Sequence, residues 1–123
     1  MSDKNVVDFK GHPDYLALTK EELKLHSAKN SDYAGDVNND PLGNFKRVSA
    51  IKSLYPGLDW TTAHATAVDF MLKQFDCALL MLAEGREGEV EDIESRLQDS
   101  YIYLKIARIL YREWKNRSLV DKL

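Results

Sequence analysis

The run from Val68 to Ala83, VDFMLKQFDCALLMLA, constrains the fold more than any other stretch of this chain. It is apolar around nearly its whole circumference, and its charged interruptions are Asp69, Lys73 and Asp76. At about 100° of turn per residue, spacings of four and seven place those three side chains within roughly 60° of one another. The stretch therefore predicts a buried helix carrying one narrow polar stripe. A charge in such a place must be paired, hydrogen-bonded or bound to a metal. The stripe is then either an ion-pair network, with Asp69 to Lys73 and Lys73 to Asp76 pairing along the helix face, or a site.

Periodicity elsewhere predicts an all-α antiparallel bundle of about four main helices in a single domain, residues 1–123, with no competing strand pattern. Residues 1–12 lack periodicity and read as an arm. Pro13 to Leu18 suggests a short helical turn, and the TKEE sequence from Thr19 offers a capping box for a helix reaching about Asn30. Ser31 to Asn44, SDYAGDVNNDPLGN, is dense in turn-forming residues and reads as a polar loop. Asp40 before Pro41 suggests the cap of a second helix, with Phe45, Val48 and Ile51 inward and Pro56 and Gly57 ending it. Asp59, Thr61 or Thr62 can cap the third helix, which runs to about Glu84. A fourth is expected from about Val90 to Lys115. One of its stripes holds Val90, Ile93, Leu97, Tyr101, Leu104, Arg108 and Tyr111, and another holds Asp99, Ile102, Tyr103, Ile106 and Leu110. Two largely apolar stripes predict a helix that is central or meets a second subunit, so a homo-oligomer is expected.

Composition narrows the function classes. A net charge of −3 gives no basic footprint for nucleic acid or an anionic membrane. No apolar run is long enough to cross a bilayer without the stripe's charges, and the amino-terminal MSDKNVVDFKG lacks a signal-like apolar core, so a cytoplasmic location is the simplest expectation. The single cysteine, Cys77, excludes an internal disulfide and reads as a small core residue. No GxxxxGK[ST], GxGxxG, CxxC or HExxH motif occurs. What remains is carboxylate chemistry between helices.

If the third and fourth helices turn back near Glu87, residue n faces roughly residue 174 − n. Asp76 then lies level with Gln98 and Asp99. Two adjacent carboxylates repel unless a proton, a lysine or a divalent cation lies between them, so either Lys73 or Mg²⁺ could occupy that place. Lys29, Lys46 and Arg47 could meet phosphates, and Tyr33 or Phe45 could stack on a base, while turn chemistry and loop anchoring account for the same region without a ligand.

The run His26 to Phe45, HSAKNSDYAGDVNNDPLGNF, resembles a segment of small phage and prophage proteins in which a helix ends in a DYA-like motif followed by DPxxNF. VDFMLKQFD and EDIESRLQDSYIYL resemble two helices of MazG-like all-α nucleoside triphosphate pyrophosphohydrolases and their relatives linked with nucleotide modification, with Lys73, Asp99 and Tyr103 at the matching positions. The resemblance implies an oligomeric helical bundle that binds a nucleotide with Mg²⁺ and hydrolyses a (d)NTP to the monophosphate and pyrophosphate. It makes Asp76 and Asp99 catalytic candidates and Asp69, Asp76, Asp92 and Asp99 metal candidates. Lys29, Asp32, Tyr33, Asn44, Lys73 and Tyr103 become nucleotide-binding candidates. The chain departs from the ExxE and ExxD pairs of active members, having DxxxKxxD on its third helix and Glu91, Asp92 and Glu94 ahead of Asp99 on its fourth. The competing expectation is a non-catalytic helical protein acting on a host or phage partner.

Overall fold

The computed structural model describes residues 8–34 and 40–121 and contains four helices: α1 (Pro13–Ala34), α2 (Gly43–Ser53), α3 (Ala63–Glu84) and α4 (Ile93–Asp121). The fold is all-α, with no strand among the described residues. None of these helices is long and apolar enough to cross a membrane.

α3 and α4 form an antiparallel hairpin. His64, at the start of α3, packs against Tyr111 and Trp114 near the end of α4, at ring separations of 5.6 and 5.3 Å. Further along, Phe70 meets Tyr103 edge to face at 5.8 Å, and Gln74 meets Arg96. These pairs lie within about one helical turn of the expected level. Between these larger pairs, Ala78 and Met81 are fully buried on α3, and Ser100 and Ala107 are buried on α4. α1 and α2 pack on α3 and on each other.

The turns show why the chain reverses where it does. Thr62 caps α3 by accepting a hydrogen bond from the Ala65 amide at 3.3 Å. Gly85 ends the helix in the left-handed conformation, φ 65°, which lets the Gly85 and Arg86 amides reach the Leu82 and Met81 carbonyls. Asp92 caps α4 through the Ser95 amide at 2.8 Å.

Several boundaries differ from the sequence expectation. α1 starts at Pro13, where a missing N–H costs nothing, and the His12 ring accepts the Asp14 amide at 3.0 Å. Thr19 is therefore interior, its hydroxyl donating to the Tyr15 carbonyl rather than capping. The same helix continues past Asn30 through Ala34, because Asp32 and Ala34 are drawn into the interior. Of the expected loop 31–44, residues 35–39 lie outside the described residues, as do residues 1–7 of the expected arm. Asp40 caps a turn before α2 instead of α2 itself, accepting the Leu42 amide at 2.9 Å. On α2, Phe45 and Ile51 are exposed and Asn44 is buried, because the helix meets α3 through polar side chains.

Candidate functional site

The polar stripe of α3 faces α2, and α2 supplies its cations. Arg47 grips Asp76 with two parallel bonds, Nε to Oδ1 at 2.7 Å and Nη2 to Oδ2 at 2.9 Å, and also donates to the Tyr33 carbonyl at 3.2 Å. That hydrogen bond to Asp76 raises the Arg47 pKa further above its ordinary value. Lys52 pairs with Asp69 at 3.3 Å. The intrahelical pairs through Lys73 do not form. Its ammonium instead lies 5.0 Å from the Tyr33 ring centroid, with no carboxylate partner among the described residues.

A second polar centre joins α1 to the α3–α4 turn. Asp32 is fully buried, and its carboxylate accepts the backbone amides of Glu89, Val90 at 2.9 Å and Glu91 at 3.4 Å. Arg96, 2% exposed, stands 3.5 Å from Asp32 Oδ2 and donates to Gln74 at 2.7 Å and the Tyr33 hydroxyl at 3.1 Å. Its guanidinium lies 4.8 Å from the Tyr33 ring centroid. The turn wraps so closely that a Cβ at Gly88 would strike the Glu91 carbonyl and come within 2.9 Å of Asp32 Oδ2. Below it, the Cys77 thiol donates to the Asp32 carbonyl at 3.3 Å, and burial pushes its pKa up to about 11.

Between α2 and α3 lies a groove of about 330 Å³ lined by Asn44, Phe45, Val48, Lys52, Phe70 and Lys73, among others. A smaller hollow of about 190 Å³ shares Phe70 and Lys73 with it and adds Gln74 and Tyr103. Most of the groove wall is apolar. Its polar features are the Lys52–Asp69 pair, the Lys73 ammonium, Ser49 and the Asn44 amide. Asn44 is 4% exposed and its buried Oδ1 has no hydrogen-bond partner among the described residues. An unpartnered buried acceptor is costly.

The nucleotide-binding candidates thus divide. Asn44, Lys73 and Tyr103 line the groove and the hollow, Tyr33 lies beneath Lys73, Lys29 is exposed on α1, and Asp32 is committed to the turn. The four metal candidates have different surroundings. Asp76 and Asp69 are each bound to a cation, Asp92 caps α4, and half-buried Asp99 has no hydrogen-bond or ionic partner among the described residues. No three His, Cys, Asp or Glu side chains are grouped to hold a metal among the described residues.

Arg96 and Gln74, central to this geometry, were not among the sequence candidates. The available signal was Arg96 itself, in line with the small residues Ser100 and Ala107 and so on the face that packs against α3. Comparison with protein families, with curated proteins and with solved structures finds no match.

Proposed function

We propose that this protein binds a nucleotide in the groove between α2 and α3, as its MazG-like resemblance suggests, with the base held between apolar walls and the phosphates at Lys73. The observation that carries the reading is the coincidence, in one groove, of a buried amide oxygen without a partner, an ammonium with no carboxylate partner among the described residues, and two exposed aromatic rings, Phe45 and Phe70. A volume of about 330 Å³ is at the lower end for small-molecule sites, and pocket walls with a few convergent polar groups are the usual form. Asn44 can read a base edge, because an amide offers both donors and an acceptor. Lys73 can meet phosphate as a point charge.

Hydrolysis to the monophosphate and pyrophosphate, with Asp76, Asp99 and Mg²⁺, is the finer part of the proposal and rests on the resemblance. Asp99 has carboxylate oxygens to offer, whereas Asp76 would first have to leave Arg47.

Thermal melting with Mg²⁺ and each (d)NTP tests binding, because a ligand of the native state raises its melting temperature. At least one nucleotide should do so, and Lys73→Ala should weaken it by about tenfold, as expected for losing a charged contact. No shift at millimolar concentration with any nucleotide would sink the proposal. Pyrophosphate release by the wild type, Asp76→Asn and Asp99→Asn then tests hydrolysis separately, and activity untouched by both substitutions would remove these aspartates from it.

A further inference from the structure

Apolar rows on α3 and α4 stay largely uncovered by the rest of the chain, although Val68 and Leu72 are half-buried and Tyr111 packs on His64. On α3, Val68, Leu72, Phe75, Leu79 and Leu82 repeat with alternating spacings of four and three. On α4, Leu97, Tyr101, Leu104, Arg108 and Tyr111 do the same. Such a repeat, averaging 3.5 residues, is the seam along which helices pack knobs into holes. Phe75, Leu79 and Leu82 each follow by one residue a side chain directed at α4 or buried, namely Gln74, Ala78 and Met81. Leu97, Tyr101 and Leu104 likewise follow Arg96, Ser100 and Tyr103. One residue is about 100° of turn, and in an antiparallel pair of right-handed helices the same sense of turn leads to the same side of the hairpin. Both rows therefore share one face. α1, α2 and the groove lie on the other, where Asp69 and Asp76 point. Leu79 and Leu82 are 50% and 54% exposed, Tyr101 and Leu104 57% and 45%.

We infer that this face is covered by a second copy of the chain, antiparallel to the first, so that two α3–α4 hairpins close a four-helix bundle. Three observations commit it to that occupant. First, both rows carry the coiled-coil repeat, so a hairpin of the same kind is the complementary surface. Second, charge is segregated along the hairpin. The turn and the first part of α4 carry Glu87, Glu89, Glu91, Asp92, Glu94 and Asp99 against Arg86 and Arg96, whereas the later part carries Lys105, Arg108, Arg112, Lys115 and Arg117 against Glu113. Parallel copies would set like charges together, and antiparallel copies lay acidic ends over basic ends. A two-fold axis produces this pairing twice in one closed interface.

Third, the face is uncovered within one chain. Phe75, Leu79, Leu82, Leu97, Tyr101 and Leu104, all on this side of the hairpin, are between 36% and 57% exposed, and burying large apolar side chains of this kind is what a stable interface, at roughly 800 Å² per partner, requires. The inference is independent of the nucleotide reading, since the groove opens on the opposite face.

Sedimentation equilibrium of the full chain at low salt should give a dimer. Leu79→Asp combined with Leu104→Asp should give a monomer whose circular dichroism keeps its helix content, because both side chains are exposed within one chain. Orientation is read from two charge reversals, Glu94→Arg and Arg112→Glu. Each alone should weaken the homodimer by about tenfold by turning two attractive pairs repulsive, and mixing the two variants should restore wild-type association. A wild type that stays monomeric, as it would if another protein covers this face, would overturn the inference. So would a dimer indifferent to the aspartates or to the single reversals.

Discussion

Asp32 shows how much of this fold depends on one carboxylate. It gathers three backbone amides of the α3–α4 turn and the buried Arg96, so α1 and the hairpin are tied at a point without a large apolar core. Removing one partner of a buried pair leaves the other uncompensated and typically costs about 3–5 kcal/mol. Asp32→Ala should therefore lower stability by about that amount in urea titrations, and a loss under about 1 kcal/mol would show that the amides and Arg96 find water readily. Cys77, hydrogen-bonded to the same segment, gives a pH signature. Its thiol is held neutral, with a pKa of about 11 against an ordinary 9.0. Between those values the unfolded chain releases the proton first and binds fewer protons than the native state, so stability falls as pH rises. Cys77→Ala should flatten that fall in pH-resolved melts, and the native thiol should resist thiol reagents at pH 8. Residue-level chemistry was partly legible in advance. The stripe was correctly found on one helix, but its partners, Arg47 and Lys52, lie 29 and 17 residues away, and spacing within α3 carries no information about them.

At the scale of elements, helices and their order were readable because 3.6-residue periodicity and caps are local. Thr62 and Gly85 are cases where one residue type is demanded by one backbone geometry. Gly85→Ala places a Cβ in open space but at φ 65°, which costs an L-residue about 1–2 kcal/mol. Gly57→Ala, also without neighbours within 4 Å and without positive φ, should be near neutral. Comparing the two by chemical denaturation checks that conformation and not space sets the cost, and equal losses would refute it. What was less legible is which face of α4 meets α3. Its apolar stripes held Tyr103 and Tyr111, which do meet α3, together with Leu97, Tyr101 and Leu104, which are exposed, and they passed over Arg96, Ser100 and Ala107, which are buried at the contact. Small residues allow close approach without raising hydrophobicity, so periodicity points past them to whatever the outer rows are for.

That mismatch is explained at the scale of the whole molecule. The fully buried core of one chain is modest, comprising Ala65, Cys77, Ala78 and Met81 with a few further alanines, while long apolar rows remain outside. If a second copy covers these rows, as inferred above, part of the stability comes from that cover and varies with concentration. Melting temperature should therefore rise with protein concentration by mass action. It should also fall as salt screens the acidic-to-basic contact between the ends of α4, since interactions of exposed charges weaken once the Debye length drops toward about 3 Å at 1 M. A chain stabilised only by its own ion pairs would show the salt effect without the concentration effect. Scanning melts across a hundredfold range of protein at low and high salt separates the two. A concentration-dependent shift that disappears in the Leu79→Asp, Leu104→Asp variant would assign the missing stability to the shared α3–α4 face. A melting temperature constant across the whole range would assign it to the single chain.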